Sequence, residues 1–95
     1  MGALWIGHVQ VTDPEAYAEY AAKAAEVIPS KGGRFVARGG RYQQMEGVDH
    51  PRNVVIEFDT FEEAIACYQS PEYQAITTQA QSASNRSVVI VELTE

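Results

Sequence analysis

With 95 residues, 45% of them hydrophobic and 21% charged, the chain is sized for one folded domain and is too apolar for a disordered segment. A domain of this length buries roughly two thirds of its unfolded surface, so it can hold a core without metal or disulfide staples. A net charge of −6 argues against nucleic acid as a partner, and no run approaches the roughly 18 apolar residues of a membrane span.

The lone cysteine, Cys67, has no internal partner for a disulfide, which fits a reducing compartment. The N-terminus shows neither the basic region nor the cleavage site of a secretory signal. A cytoplasmic protein is therefore expected. Charge is unevenly spread. Between Lys31 and Arg52 lie five basic residues against only Glu46 and Asp49, a balance of +3, while the rest of the chain carries −9. Such a basic stretch serves either as solvated strand edge or as an anion-attracting patch.

In chain order, Leu4 to Val11 is rich in β-formers and predicts a strand. Asp13 is a helix cap, Pro14 suits the first helical position and Glu15 faces the positive end of the dipole. Tyr17, Tyr20, Ala21, Ala24, Val27 and Ile28 form one apolar stripe, and Pro29 with Gly32-Gly33 ends the helix. Residues 34–46 predict one long strand interrupted by Gly39-Gly40, a pair that marks a bulge or a close backbone approach. A turn over 47–51 leads to a third strand at 53–59. Thr60 and Glu63 cap a second helix, buried through Phe61, Ala64, Ile65 and Tyr68. Ser70-Pro71-Glu72 restarts the capping pattern, so this helix is expected to break there and continue on a stripe of Tyr73, Ile76, Thr77 and Ala80. The last strand runs from Ser87 to Leu93.

This order is β-α-β-β-α-β, a single ferredoxin-like α+β domain over residues 1–95 with a four-stranded antiparallel sheet. Right-handed crossovers put the first and last strands side by side and both helices on one face. The other face should then be polar, yet Val88, Val89, Ile90 and Val91 are apolar on both sides, and Leu4 and Ile6 oppose Trp5, Val9 and Val11. A second copy packing on that face is the expected remedy, giving a homodimer with an inner space between two sheets.

The segments Trp5-Ile6-Gly7-His8-Val9, Asp13-Pro14-Glu15-Ala16-Tyr17, Gly32-Gly33-Arg34-Phe35, Ala37-Arg38-Gly39-Gly40, Glu46-Gly47, Val55-Ile56-Glu57-Phe58 and Ser70-Pro71-Glu72-Tyr73-Gln74 resemble the domain-of-unknown-function 1330 family over nearly the whole chain. The resemblance implies the dimeric α+β barrel superfamily, which holds monooxygenases, dehalogenases, isomerases and proteins without assigned activity. It implies no particular reaction. Cys67 stands where the family often has an aromatic, and Ala80 or Gln81 where an arginine often follows the last helix.

The residues suggest no metal site, since His8, His50 and Cys67 lie on separate elements without ligand spacing, and nothing implies a cofactor. The one candidate catalytic set is His8 with Glu57, on neighbouring antiparallel strands, as a base oriented by a carboxylate. Arg38 or Arg41 on the second strand is a candidate for binding a substrate anion. Against this stands an ordinary ion pair of Glu57 with an arginine. Tyr17, Tyr20, Tyr68 and Tyr73 are expected in the core, with Cys67 a small buried filler. Two functions stay open: a homodimer binding a small anionic or phenolic ligand between sheet and helices or inside the barrel, with or without cofactor-free catalysis, and a structural or interaction protein with no catalytic site.

Overall fold

The computed structural model describes residues 1–94. Its elements are β1 (Ala3–Val11), α1 (Pro14–Ser30), β2 (Arg34–Arg38), β3 (Arg52–Phe58), α2 (Phe61–Gln69), α3 (Pro71–Ser82) and β4 (Ser84–Glu92). The sheet order is β2-β3-β1-β4, antiparallel throughout, so the expected ferredoxin-like order holds. No described helix is long and apolar enough to cross a membrane.

Each helix begins on a side chain that accepts from an otherwise unpaired N–H. Asp13 accepts from Ala16 at 3.2 Å, Thr60 from Glu63 at 3.0 Å and Ser70 from Tyr73 at 3.2 Å. Ser70 also donates to the Cys67 carbonyl, so one residue ends α2 and starts α3. The break expected at Ser70-Pro71 is therefore a double cap.

Strand alternation sorts side chains into rows across the sheet. On the helix side, Trp5 lies between Ile56 and Ile90, Gly7 between Val54 and Val88, and Val9 between Arg52 and Arg86. On the open side, Leu4 lies between Glu57 and Val91, Ile6 between Val55 and Val89, and His8 between Asn53 and Ser87. Two apolar rows thus face outward, with Val89 at 53% and Val91 at 45% exposure.

The core fills the space between sheet and helices. Tyr73, Phe58, Ile28, Ile56, Val9 and Cys67 are almost wholly buried. Trp5 stacks on Phe58 with centroids 6.2 Å apart and meets Tyr73 edge-on at 4.9 Å. Cys67 is the buried filler expected of it. Burial pushes its thiol up to about 11, with Lys31 pulling weakly the other way, so it is an inert thiol at neutral pH.

The second strand departs from expectation. It ends at Arg38 rather than near residue 46, and its bulge falls between Phe35 and Ala37 rather than at Gly39-Gly40. The reason is the length of its partner. Arg38 pairs with Val54, the Gly39 N–H closes the ladder on the Asn53 carbonyl at 3.0 Å, and Gly39 then turns away with φ +72°. Residues 40–51 find no strand in this chain to pair with. β3 begins one residue earlier than expected and β4 three residues earlier.

Gly33 marks where α1 returns to the sheet. A Cβ there would stand 2.5 Å from Ile28 Cγ2, 2.9 Å from Phe58 Cζ and 3.0 Å from Ile56 Cγ2. All three neighbours belong to the packed core, so none can give way freely. Gly33→Ala is expected to lower stability by about 1–3 kcal/mol, while Glu26→Ala, on the exposed side of α1, stays within about 0.5 kcal/mol. Urea unfolding of the two variants checks this, and equal midpoints would refute it.

Candidate functional site

Between α1 and the helix side of the sheet runs a cleft. Trp5, Gly7, Val9, Val54, Ile56 and Val88 form its floor, and Tyr17, Tyr20, Ala21, Ala24 and Ile28 of α1 form its roof. It holds about 420 Å³ of unfilled space including its open mouth, of which only about 30 Å³ admits the centre of a water-sized molecule. Outside it lies a wider, open vestibule with about 940 Å³ of unfilled space including solvent, bounded by Val11, Pro14, Ala18 and Ala22. Tyr17, Ala21, Arg38 and Arg52 line both spaces and so form the neck between them. The inner cleft is open because Gly7 has no side chain. A Cβ at Gly7 would meet nothing nearer than Val9 Cγ2 at 4.0 Å.

Arg38, Arg52 and Arg86 all line this cleft, and among the described residues no carboxylate lines it. The ion pairs of the chain lie elsewhere. Arg34 takes Glu57 at 3.6 Å and Asp59 at 3.1 Å, and Lys31 takes Glu72 at 3.1 Å. Each cleft arginine is instead stacked on an aromatic ring. Arg38 sits 4.7 Å from the Phe35 centroid, Arg52 5.6 Å from Tyr17 and Arg86 5.2 Å from Tyr20. Stacking holds a guanidinium by its face and leaves its edge to hydrogen-bond; Arg38 makes one long bond, to the Ala21 carbonyl at 3.5 Å. Gly39 clears room for Arg52, since a Cβ there would stand 2.6 Å from Arg52 Nη1. Arg52 Nε is buried with no hydrogen-bond partner among the described residues, and such groups are rare.

Arg86 goes deepest. It donates to Thr77 Oγ1 at 2.8 Å and to the hydroxyls of Tyr20 and Tyr73 at 3.3 Å each, and these two hydroxyls lie 2.6 Å apart. Burial, reinforced by Tyr73, drives the Tyr20 phenol well above its ordinary pKa despite the nearby guanidinium. For Arg86, burial works against the charge, but Tyr73 and Tyr20 outweigh it and raise its pKa. At neutral pH the Tyr20 hydroxyl is thus neutral beside the Arg86 cation.

Of the residues singled out from sequence, Arg38 reaches the cleft. Arg41 does not; it is exposed in the unpaired stretch after β2. His8 and Glu57 share the open face, as expected, but they do not meet. Glu57 lies opposite Leu4, four residues along β1 from His8, or roughly 13 Å. Glu57 forms the ordinary ion pair with Arg34 instead. His8 Nδ1 lies 2.7 Å from Asn53 Oδ1, and Asn53 Nδ2 donates to the His50 carbonyl at 3.1 Å. That second bond turns the amide oxygen toward His8, so Nδ1 carries the proton and Nε2 is left as the acceptor.

Arg86 was missed, and Arg52 entered only as one basic residue of the 31–52 stretch, because both strands start earlier than the apolar runs suggest. The available signal was parity, because Arg86, Val88 and Ile90 alternate with Ser87, Val89 and Val91. The arginine sought at position 80 or 81 is absent there, and Arg86 on β4 brings a guanidinium against α3.

Thr77→Val keeps the shape of α3 but removes the nearest acceptor of a part-buried cation. It is expected to cost about 1–3 kcal/mol, read from thermal or urea unfolding. A change below about 0.5 kcal/mol would show that Arg86 does not depend on this contact.

Comparison with solved structures bears on the fold. A protein of unknown function from Rhodopseudomonas palustris matches with a TM-score of 0.80 at 16% identity, over 99% of this chain and 83% of that one. A dimeric ferredoxin-like protein of unknown function from Jannaschia sp. matches with a TM-score of 0.72 at 16% identity, over 96% and 99%. A cofactor-independent oxygenase from Streptomyces nogalater matches with a TM-score of 0.69 at 12% identity, over 99% and 94%. At these identities the likeness speaks for fold alone. No curated protein matches the chain. The family described as a domain of unknown function (DUF1330) matches residues 2–94, and the chain belongs to that family.

Proposed function

We propose that this protein is a cytoplasmic homodimer that binds a small organic oxyanion, a carboxylate or phenolate, in the cleft between α1 and the sheet. The observation that carries the reading is the meeting of three arginines without a carboxylate, one of them with a buried, unpartnered Nε. A guanidinium edge matches a carboxylate in two parallel hydrogen bonds. The apolar floor and aromatic roof suit a planar or short aliphatic body. Only arginines and tyrosines are titratable in the lining, so the proposal is one of binding and assigns no general base.

Dimerisation is supported by the outward rows Val55-Ile6-Val89 and Leu4-Val91, and by the dimeric description of the Jannaschia relative. Stacking these rows on a second copy removes them from water, with a two-fold axis as the simplest arrangement. The His8, Asn53 and Ser87 row then lies beside the apolar contact. Val89→Asp, on a residue half exposed in the single chain, is expected to yield a folded monomer. Light scattering with circular dichroism reads both properties. A monomeric parent, or a variant that stays dimeric, would remove this part of the proposal.

Ligand binding can be followed through Trp5, the single tryptophan, which forms part of the cleft floor. Titration with pentanoate is expected to change its fluorescence saturably. Arg52→Gln should weaken the binding roughly tenfold, the size of a charge-assisted hydrogen bond. Gly7→Val should abolish it while leaving the fold intact, because the added side chain fills the inner cleft. An unchanged dissociation constant in both variants would place the anion elsewhere and overturn the reading.

A further inference from the structure

The protons of the Arg86 cluster can be counted. The hydroxyls of Tyr20 and Tyr73 lie 2.6 Å apart, so one donates to the other. Arg86 donates to both and accepts from neither. Two phenolic protons therefore serve one shared bond, and the second must be directed elsewhere. Tyr73 is wholly buried and absent from the cleft wall, enclosed by Trp5, Tyr20 and Tyr68. Tyr20 lines the cleft. The arrangement that strands no buried donor has Tyr73 donating to Tyr20 and Tyr20 turning its own proton into the cleft.

The inner end of the cleft is consequently a place of donors. Three of the five N–H groups of Arg86 are engaged with Tyr20, Tyr73 and Thr77, which leaves two. The neck is a second such place, through Arg38 and Arg52. The two are set apart by the sheet itself. Arg52 and Arg86 flank Val9 on neighbouring strands, so their backbones stand two strand spacings apart, roughly 10 Å. A lone carboxylate fills one place and leaves the other with unpaired donors.

Building on the proposed anion site, we propose that the natural ligand class is a short-chain acid with a second oxygen acceptor a few carbons from its carboxylate, an oxo acid or dicarboxylate. The carboxylate lies at Arg38 and Arg52, and the second oxygen accepts from Tyr20 and Arg86. Tyr20 is thereby a specificity-determining residue, with Tyr73 orienting its proton from behind.

The test compares pentanoate with 4-oxopentanoate, equal in charge and chain length and differing in one carbonyl. Calorimetry or Trp5 fluorescence on the parent protein is expected to show the oxo acid binding roughly tenfold more tightly. Tyr20→Phe should erase that preference, so that the two acids bind with equal affinity. Tyr73→Phe should keep it, since Tyr20 retains its proton. Equal affinities in the parent overturn the second acceptor place and leave the anion site standing. A preference kept in Tyr20→Phe and lost in Tyr73→Phe overturns the proton assignment. Binding of neither acid overturns both proposals. The parent comparison decides the matter even where a variant fails to fold.

Discussion

The helix side of this molecule is organised around a part-buried guanidinium that has hydroxyls for company and no carboxylate. Removing a cation from water costs several kcal/mol, and the Arg86 contacts to Tyr20, Tyr73 and Thr77 offset part of that cost. Those three oxygens come from α1 and α3, so the residue that resists burial also joins two helices to the last strand. The arrangement holds the Tyr20 phenol neutral, because burial disfavours its ionised form. It also leaves the cleft with net positive potential inside a chain of net charge −6. Among the described residues the carboxylates in ion pairs lie on Arg34 and Lys31, and none lines the cleft.

One strand shows how the two faces of the sheet divide the work. Along β1, Trp5, Gly7 and Val9 point to the helices, while Leu4, Ile6 and His8 point away. On the first face the missing side chain at Gly7 keeps a floor low between Val54 and Val88. On the second, Leu4 and Ile6 complete rows that water would not favour. A change of one residue in register would exchange these sets, so the outward apolar rows and the cleft floor constrain the same alternation. This explains why a short strand can be apolar on both sides without being a central strand of a larger sheet.

What was legible in the sequence was whatever is decided locally. The caps at Asp13, Thr60 and Ser70 depend on residues three apart, and all three hold. The faces of β1 and β3 follow from alternation within each strand. Register and strand length are different, because they depend on the partner. Residues 39–46 carry strand-like composition, but β3 offers nothing opposite them after Val54 and Asn53. The separation of His8 from Glu57 is likewise a property of the β1–β3 register, which the long connection from Gly39 to Pro51 leaves unstated. Arg86 and Arg52 escaped for a related reason. A cation at the start of an apolar strand resembles the last residue of a loop until parity places it beside Val9.

The same register separates two kinds of chemistry that the sequence invited one to combine. His8, oriented by Asn53 so that Nε2 is free to accept, is the most base-like group on the sheet, but it stands on the open face. The arginines and the Tyr20 hydroxyl stand on the other face, behind the sheet. Side chains on opposite faces of one sheet cannot reach a common small substrate. The cleft presents guanidinium and phenol donors fixed in advance, the kind of group that polarises a carbonyl. Among the described residues no carboxylate or imidazole lines the cleft to take a proton from carbon, and burial holds the Tyr20 phenol protonated. Chemistry in the cleft would therefore have to begin from a ligand already charged at the reacting atom.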